Sequence, residues 1–259
     1  MLSESHGIKP SVSVVIPATR KSFVHSVNSA LSQTLKPLEI IVVDDSKGQS
    51  LDFVGENVYV LKTGGLKGVS FSRNLGMRAS LGQWIAFLDD DDYWLSSKLE
   101  LQIEFANIHS LDATYTSCLL NSIDEVRPRC RYFRQLSPLA QIYDFGFRLN
   151  SRFYLGFSSL MIKRSAIGET LFDETMRFRE DLKFIQEIWN KGYSIDLLNE
   201  ILCVIDYNFM RSANLIKLEN DLDWFFYLFK VSKSVALRFF VLNIVRNRFI
   251  RMYFLIRRN

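Results

Sequence analysis

The chain has 259 residues, enough for one large α/β domain or one domain with a small appendage. Hydrophobic residues at 48% and charged residues at 23% exclude a disordered or fibrous chain, and no run of about 18 uncharged apolar residues offers a membrane-spanning helix. The net charge of +4 hides an asymmetry: Lys230 to Asn259 holds eight of the 32 basic residues and none of the 28 acidic ones, so a mildly acidic body carries a strongly basic tail. Cys118, Cys130 and Cys203 are odd in number and lack metal-ligand spacing, which argues against a disulfide framework or a zinc site and for a reducing compartment. The polar start MLSESHGIKPS has no apolar core, so no signal peptide is expected.

Taken in chain order, Val12 to Ile16 is a β-branched run ended by Pro17 and predicts a buried strand. Ser22 to Gln33 has helical spacing. Glu39 to Val43 predicts a second buried strand, ending at Asp44 and Asp45, and Val58 to Leu61 a third. Ser70 to Ser80 predicts a helix. Trp84 to Leu88 predicts a fourth strand, which delivers Asp89, Asp90, Asp91 and Asp92. Strands that are apolar on both faces and alternate with helices predict a mainly parallel sheet covered by helices. Ligands of such sheets bind at strand C-termini, where both acidic clusters fall.

Further on, Ser97 to Ile108 predicts a helix, Ala113 to Leu120 a strand, Phe157 to Ile162 a strand, Glu180 to Asn190 a helix and Ile201 to Tyr207 a last strand. Arg127 to Arg134 is a basic loop or edge strand. From Leu215 a helix is expected with Leu215, Leu218, Leu222, Phe225, Phe226 and Phe229 in one stripe and Glu219, Asp223 and Lys230 opposite. In Val235 to Asn259 the arginines do not collect on one helical face, and a break near Asn243 to Asn247 is expected.

Four consecutive carboxylates repel one another unless something compensates them. Mg²⁺ and Mn²⁺ prefer oxygen ligands and are held by one or two carboxylates together with substrate phosphates, which removes that cost. In extended backbone Asp89 and Asp91 would point one way and Asp90 and Asp92 the other. A solvated acidic turn with Asp92 capping the next helix would use the same residues.

The ordered set VSVVIPA, EIIVVDDS, GVSFSRNLGMRASLGQWIAFLDDDDYW and FREDLKFIQEIWNKGY resembles the motifs of family 2 glycosyltransferases, nucleotide-sugar enzymes with the GT-A fold. The resemblance covers roughly residues 11–210, densely up to Leu99. It implies an N-terminal extension over 1–10, a GT-A domain over 11–210 with a nucleotide-sugar half (11–100) and an acceptor half (101–210), and a helical basic and aromatic tail over 211–259. In such enzymes Pro17 and Ala18 would line the nucleotide pocket, Asp44 and Asp45 would meet the base, and Arg73 would offset diphosphate charge. The DxD motif falls on Asp89, Asp90 and Asp91, with Asp91 as direct metal ligand, Asp89 or Asp90 near the ribose and the metal's water shell, and Mn²⁺ or Mg²⁺ as cofactor. Asp181 takes the place of the base that deprotonates the acceptor hydroxyl in inverting members; a first-turn charge favouring the helix dipole would look the same.

Two departures stand out. Pro17-Ala18-Thr19-Arg20 lacks the family's usual aromatic and Asn, and Tyr207 to Arg211 lacks a His, for which Arg211 could substitute. The expected reaction moves a sugar from a nucleotide-diphosphate sugar, UDP-linked first of all, to a glycan or polyprenyl-linked acceptor in bacterial O-antigen, core or capsule assembly. The tail suggests a cytoplasmic enzyme held at the inner face of the plasma membrane through residues 230–259 on anionic lipid, with no nucleic acid partner expected; a helical pair packed on the body with exposed arginines is the alternative, and the two are compatible. A nucleotidyltransferase would need a Gly-rich loop that PATRKS does not supply. A non-catalytic binding module would not need the intact aspartates.

Overall fold

The computed structural model describes residues 10–48, 51–121, 125–127, 135–141, 156–206 and 218–239. Strands β1 (Val12–Ala18), β2 (Glu39–Asp44) and β4 (Trp84–Phe87) are almost wholly buried, as apolar runs flanked by helices on both sides should be. With β3 (Val58–Lys62) they form a parallel set in the order β3-β2-β1-β4. Helices α1 (Phe23–Leu31) and α2 (Val69–Ala79) make the crossovers. The chain winds outward from β1 to β3 and then returns to the other side of β1. That reversal opens a crevice beyond the C-terminal ends of β1 and β4, where an open α/β sheet takes its ligands.

The sheet continues as a mixed one. After β5 (Tyr93–Trp94) and α3 (Lys98–Ile108) come β6 (Ala113–Leu120) and β7 (Glu125–Arg127), then a single turn α4 (Pro138–Ala140). Next are β8 (Met161–Lys163), the short α5 (Arg164–Ile167), α6 (Glu180–Asn190) and β9 (Ile195–Ile205). Strand β8 sits between β4 and β6, antiparallel to both, whereas β6 and β9 are parallel. The expected mainly parallel arrangement holds for β1 to β4 and for β6 with β9, and antiparallel pairs enter at β8, at β7 against β6 and at β5 against β9. One sheet crosses the expected division at residue 100.

Two expectations fail locally. Phe157 to Ser159 is a 3-10 turn, not strand, and only Met161–Lys163 pairs in the sheet. Gly156 and Phe157 carbonyls accept the N–H groups of Ser159 and Leu160 at 2.9 Å, and the indole of Trp94 donates to the Ser158 carbonyl at 2.7 Å, so these groups are not available to a ladder. Strand β9 starts at Ile195, six residues before its expected position.

Apolar side chains fill both sheet faces. Val14, Ile16, Val27, Ile40 and Leu99 lie on one side, and Val15, Met77, Phe87, Phe184 and Ile188 on the other. Helix α2 approaches β1 closely at Gly76, where a Cβ would lie 2.4 Å from Val15 Cγ1. Cys118 and Cys203 are buried free thiols in register on β6 and β9; Cys130 lies outside the described residues.

The C-terminal helices α7 (Leu218–Val231) and α8 (Lys233–Phe239) pack on the body. Trp224, Leu228, Val235, Ala236 and Phe239 form a third cluster with Leu139, and Leu182 packs against it. The expected stripe is rotated: Trp224 and Leu228 go inside, while Phe226 and Phe229 are 60% and 48% exposed. A period of 3.6 finds an apolar face but not which of two adjoining apolar faces meets the body. No helix among the described residues is long and apolar enough to cross a membrane. The expected break near Asn243 to Asn247 and the stretch Tyr207 to Arg211 lie outside the described residues.

Candidate active site

Asp89 to Asp92 form a tight turn, closed by a bond from the Asp92 N–H to the Asp89 carbonyl at 3.2 Å. The Ser26 hydroxyl of α1 reaches the same two residues' carbonyls, at 2.7 Å for Asp92 and 3.2 Å for Asp89. The four carboxylates then separate: Asp90 and Asp91 share Arg20, and Asp89 and Asp92 turn to other partners. Asp89 accepts from Arg73 at 2.9 Å. Asp90 accepts the N–H groups of Thr19 and Arg20, at 2.8 and 3.1 Å, and also the Arg20 guanidinium. Asp91 pairs with Arg20 at 2.8 Å. Asp92 meets the Ser158 hydroxyl and the N–H of Asp206.

Burial sorts the same four residues in alternation. The Asp89 and Asp91 side chains are 33% and 22% exposed, whereas Asp90 and Asp92 are each 4% exposed. The expected parity survives although the backbone turns. Asp92 caps no helix; β5 follows it, and burial together with the charge of Asp89 pushes its carboxyl well above the usual range. Burial also raises Asp91, against the pull of Arg20. Asp90, expected beside the donor, holds the end of β1 through the N–H groups of Thr19 and Arg20.

Asp44 and Asp45 are likewise turned into their own loop. Asp44 takes the N–H groups of Ser46 and Leu51, each at 2.9 Å; burial opposes ionisation, but those donors and the Ser46 hydroxyl hold its carboxyl below the usual range. Asp45 takes the N–H groups of Lys67 and Gly68 at 2.8 and 2.7 Å and the Thr63 hydroxyl. Gly68 can serve because its φ of 97° lies where a side chain would be strained. Pro17 and Ala18 pair in register with Val43 and Asp44; Ala18 is buried and Pro17 half-buried.

Arg73 is 3% exposed and does not face open solvent. One end of its guanidinium meets Asp89 and the other meets Glu180 Oε1, both at 2.9 Å, and its plane lies over the Phe157 ring at 4.3 Å. It thus ties the acidic turn after β4 to the first turn of α6, whose Glu180 lies 107 residues beyond Arg73 in sequence. Asp181 follows Glu180 and accepts from the Leu182 N–H at 2.7 Å. Burial first, and then the neighbouring Glu180, push its carboxyl up to about 7, with Arg73 pulling the other way. A carboxyl in that range can accept a proton near neutral pH and stays oriented by its helix.

Helix α6 begins after Arg179, a non-glycine residue at φ 63°. Its guanidinium lies 5.7 and 4.9 Å from the rings of Trp224 and Phe239, so the tail helices brace the turn that carries Asp181. Sequence reasoning missed this contact, and also Arg20, Ser26 and Ser158, whose partners are remote in the chain. The available signal for Arg20 was a cation placed just past the end of a central strand in a chain with acidic strand ends. His25 and His109 are exposed, and the His25 ring packs on Tyr93 just after the acidic turn.

As for a cofactor, Asp89 and Asp91 supply the two partly open carboxylates that a hard divalent cation takes when phosphate oxygens complete its shell. Among the described residues no group of three or more His, Cys, Asp and Glu could hold a metal by itself. The donor set fits a metal shared with a diphosphate, not an all-protein cage.

Comparison with known proteins bears on the family and the fold. The family described as Glycosyl transferase family 2 matches residues 13–171, more than half of the chain. TuaG of Bacillus subtilis, provisionally named a teichuronic acid biosynthesis glycosyltransferase, is 28% identical over 214 residues, 79% of this chain and 81% of that protein. The Escherichia coli UDP-Glc:alpha-D-GlcNAc-diphosphoundecaprenol beta-1,3-glucosyltransferase WfaP is 34% identical over 113 residues, which are 41% of this chain and 45% of WfaP. That match spans less than half of the relative's length. The crystal structure of S. aureus TarS 1-349 in complex with UDP-GlcNAc superposes with a TM-score of 0.59 at 20% identity, over 90% of this chain and 67% of that one, a likeness of fold.

Proposed function

The chain belongs to glycosyl transferase family 2, and from that premise we propose that it moves a sugar from a UDP-sugar to a hydroxyl of a lipid-linked or surface-glycan acceptor in bacterial polysaccharide assembly, with metal dependence and inversion at the anomeric carbon. The observation that carries this reading is the place of Asp181 in the first turn of α6, directly after Glu180, which Arg73 ties to the partly open Asp89. The names of the similar proteins, a UDP-glucose transferase acting on a diphosphoundecaprenol-linked sugar and a teichuronic acid enzyme, support the donor and acceptor classes. The fold shared with a UDP-GlcNAc complex supports the donor's place in the crevice.

In this reading Asp181 takes the proton of the acceptor hydroxyl as that oxygen attacks C1 from the face opposite the nucleotide. Glu180, held by Arg73, sets the first turn of α6 and hence the direction of Asp181. Asp91 and Asp89 would hold Mn²⁺ or Mg²⁺, which when bound stabilises the charge that develops on the leaving diphosphate. Asp44 and Asp45 shape the loop that receives the base through their backbone bonds. Exposed Phe226, Phe229 and Leu237 beside Lys230 and Lys233 support docking on an anionic membrane surface, continued by the basic residues up to 259, at the cytoplasmic face.

The test is calorimetric titration with UDP, GDP, CMP and dTDP, with and without Mn²⁺, followed by product stereochemistry with the donor it selects. Selective, Mn²⁺-enhanced binding of UDP and an inverted product are expected. A well-folded protein that binds none of the four, or a retained configuration, overturns the reading.

A further inference from the structure

Arg20 stands at the mouth of the crevice, just past the end of β1. Its guanidinium bridges Asp90 and Asp91, with the Asp91 contact at 2.8 Å. Asp90 has other donors: the N–H of Thr19 at 2.8 Å, the N–H of Arg20 at 3.1 Å and the Thr19 hydroxyl at 3.3 Å. Those backbone bonds fix the loop independently of the arginine side chain. The Arg20 side chain is itself 36% exposed, and its Nε is buried with no hydrogen-bond partner among the described residues. Arg20 is therefore a cation placed over a partly open carboxylate, with donor capacity unused and an anchor that does not depend on it.

We propose that Arg20 is a diphosphate-binding residue that exchanges partners. It covers Asp91 while the crevice holds no donor, and it moves to the diphosphate oxygens when a divalent cation takes Asp91. This rests on Asp91 being a metal ligand, as in the reading above. A guanidinium and a divalent cation on one carboxylate repel each other, so metal alone favours the displacement of Arg20. A diphosphate gives the displaced fork a bidentate acceptor in place of the single oxygens that Asp90 and Asp91 each offer it. Metal and diphosphate then bind cooperatively, each aiding the other by the same factor.

The experiment measures Mn²⁺ binding to the full chain by paramagnetic resonance of the free ion, and UDP binding by calorimetry, in wild type and Arg20→Gln. The exchange predicts effects of opposite sign. Arg20→Gln binds Mn²⁺ alone about 5-fold or more tighter, within the usual range of coupling between sites. It binds UDP with Mn²⁺ present about 10-fold or more weaker, the worth of a charge-assisted hydrogen bond. Arg20→Lys keeps the charge without the fork; it should keep Mn²⁺ affinity near wild type and lose part of the UDP affinity. A purely structural Arg20 would weaken both ligands together, and that result overturns the proposal, as does unchanged or absent Mn²⁺ binding. A thermal melt of each variant identifies misfolding, in which case Arg20→Lys decides. If wild type binds Mn²⁺ but no UDP, the donor reading fails while the Mn²⁺ arm still reports whether Arg20 covers Asp91.

Discussion

Replacing Arg73 by Met removes the one side chain among the described residues that bonds both Asp89 and Glu180. Methionine fills the volume over Phe157 but leaves two carboxylates facing each other beneath the crevice. Breaking a buried pair by deleting one partner costs about 3–5 kcal/mol, because the remaining charge is stranded. At this chain length that is a fall in Tm of about 6–20 °C. Urea unfolding should show the loss as a lower midpoint at unchanged m. Adding Glu180→Gln removes one stranded charge, so the double variant should recover part of the loss. Arg73 also pulls the Asp181 carboxyl down, so its removal should move the acid limb of the transfer rate to higher pH. A loss below about 1 kcal/mol, well short of a broken buried pair, would refute the strut. An unmoved acid limb would refute the link to Asp181.

Three further outcomes are expected. Asp181→Asn should retain UDP binding and lose transfer, and the wild-type rate should fall as pH drops below about 7 and the carboxyl protonates. Because the folded carboxyl lies above its usual value, its contribution to stability is greatest below about pH 4 and is lost as pH rises to about 7, so Asp181→Asn should flatten that part of the urea-midpoint profile. Gly76→Ala places a Cβ 2.4 Å from Val15 Cγ1 and should cost about 1–3 kcal/mol in chemical denaturation; a neutral result would mean that α2 slides freely on β1. Phe226→Ser with Phe229→Ser should leave Tm within a few degrees and abolish sedimentation with anionic vesicles, since both rings are largely exposed; unchanged sedimentation rejects the membrane role.

The sequence by itself determined the elements whose signal is local. Val12–Ala18, Glu39–Asp44 and Trp84–Phe87 read as buried strands because both of their faces are apolar, and Glu180–Asn190 read as a helix from its periodicity. It also brought the two acidic strand ends to one edge, since strand C-termini in alternating α/β chains share a side. The tertiary structure alone decided which carboxylates stay open. Asp90 is closed by a loop about 70 residues upstream, Asp92 by Ser158 and Asp206, and Arg73 is turned inward by Glu180. It decided, too, that β8 enters antiparallel and that Trp224 rather than Phe226 faces the body. The physical reason is the same throughout. Periodicity and propensity are properties of neighbours in the chain, whereas the fate of a charge depends on which donor the fold carries to it.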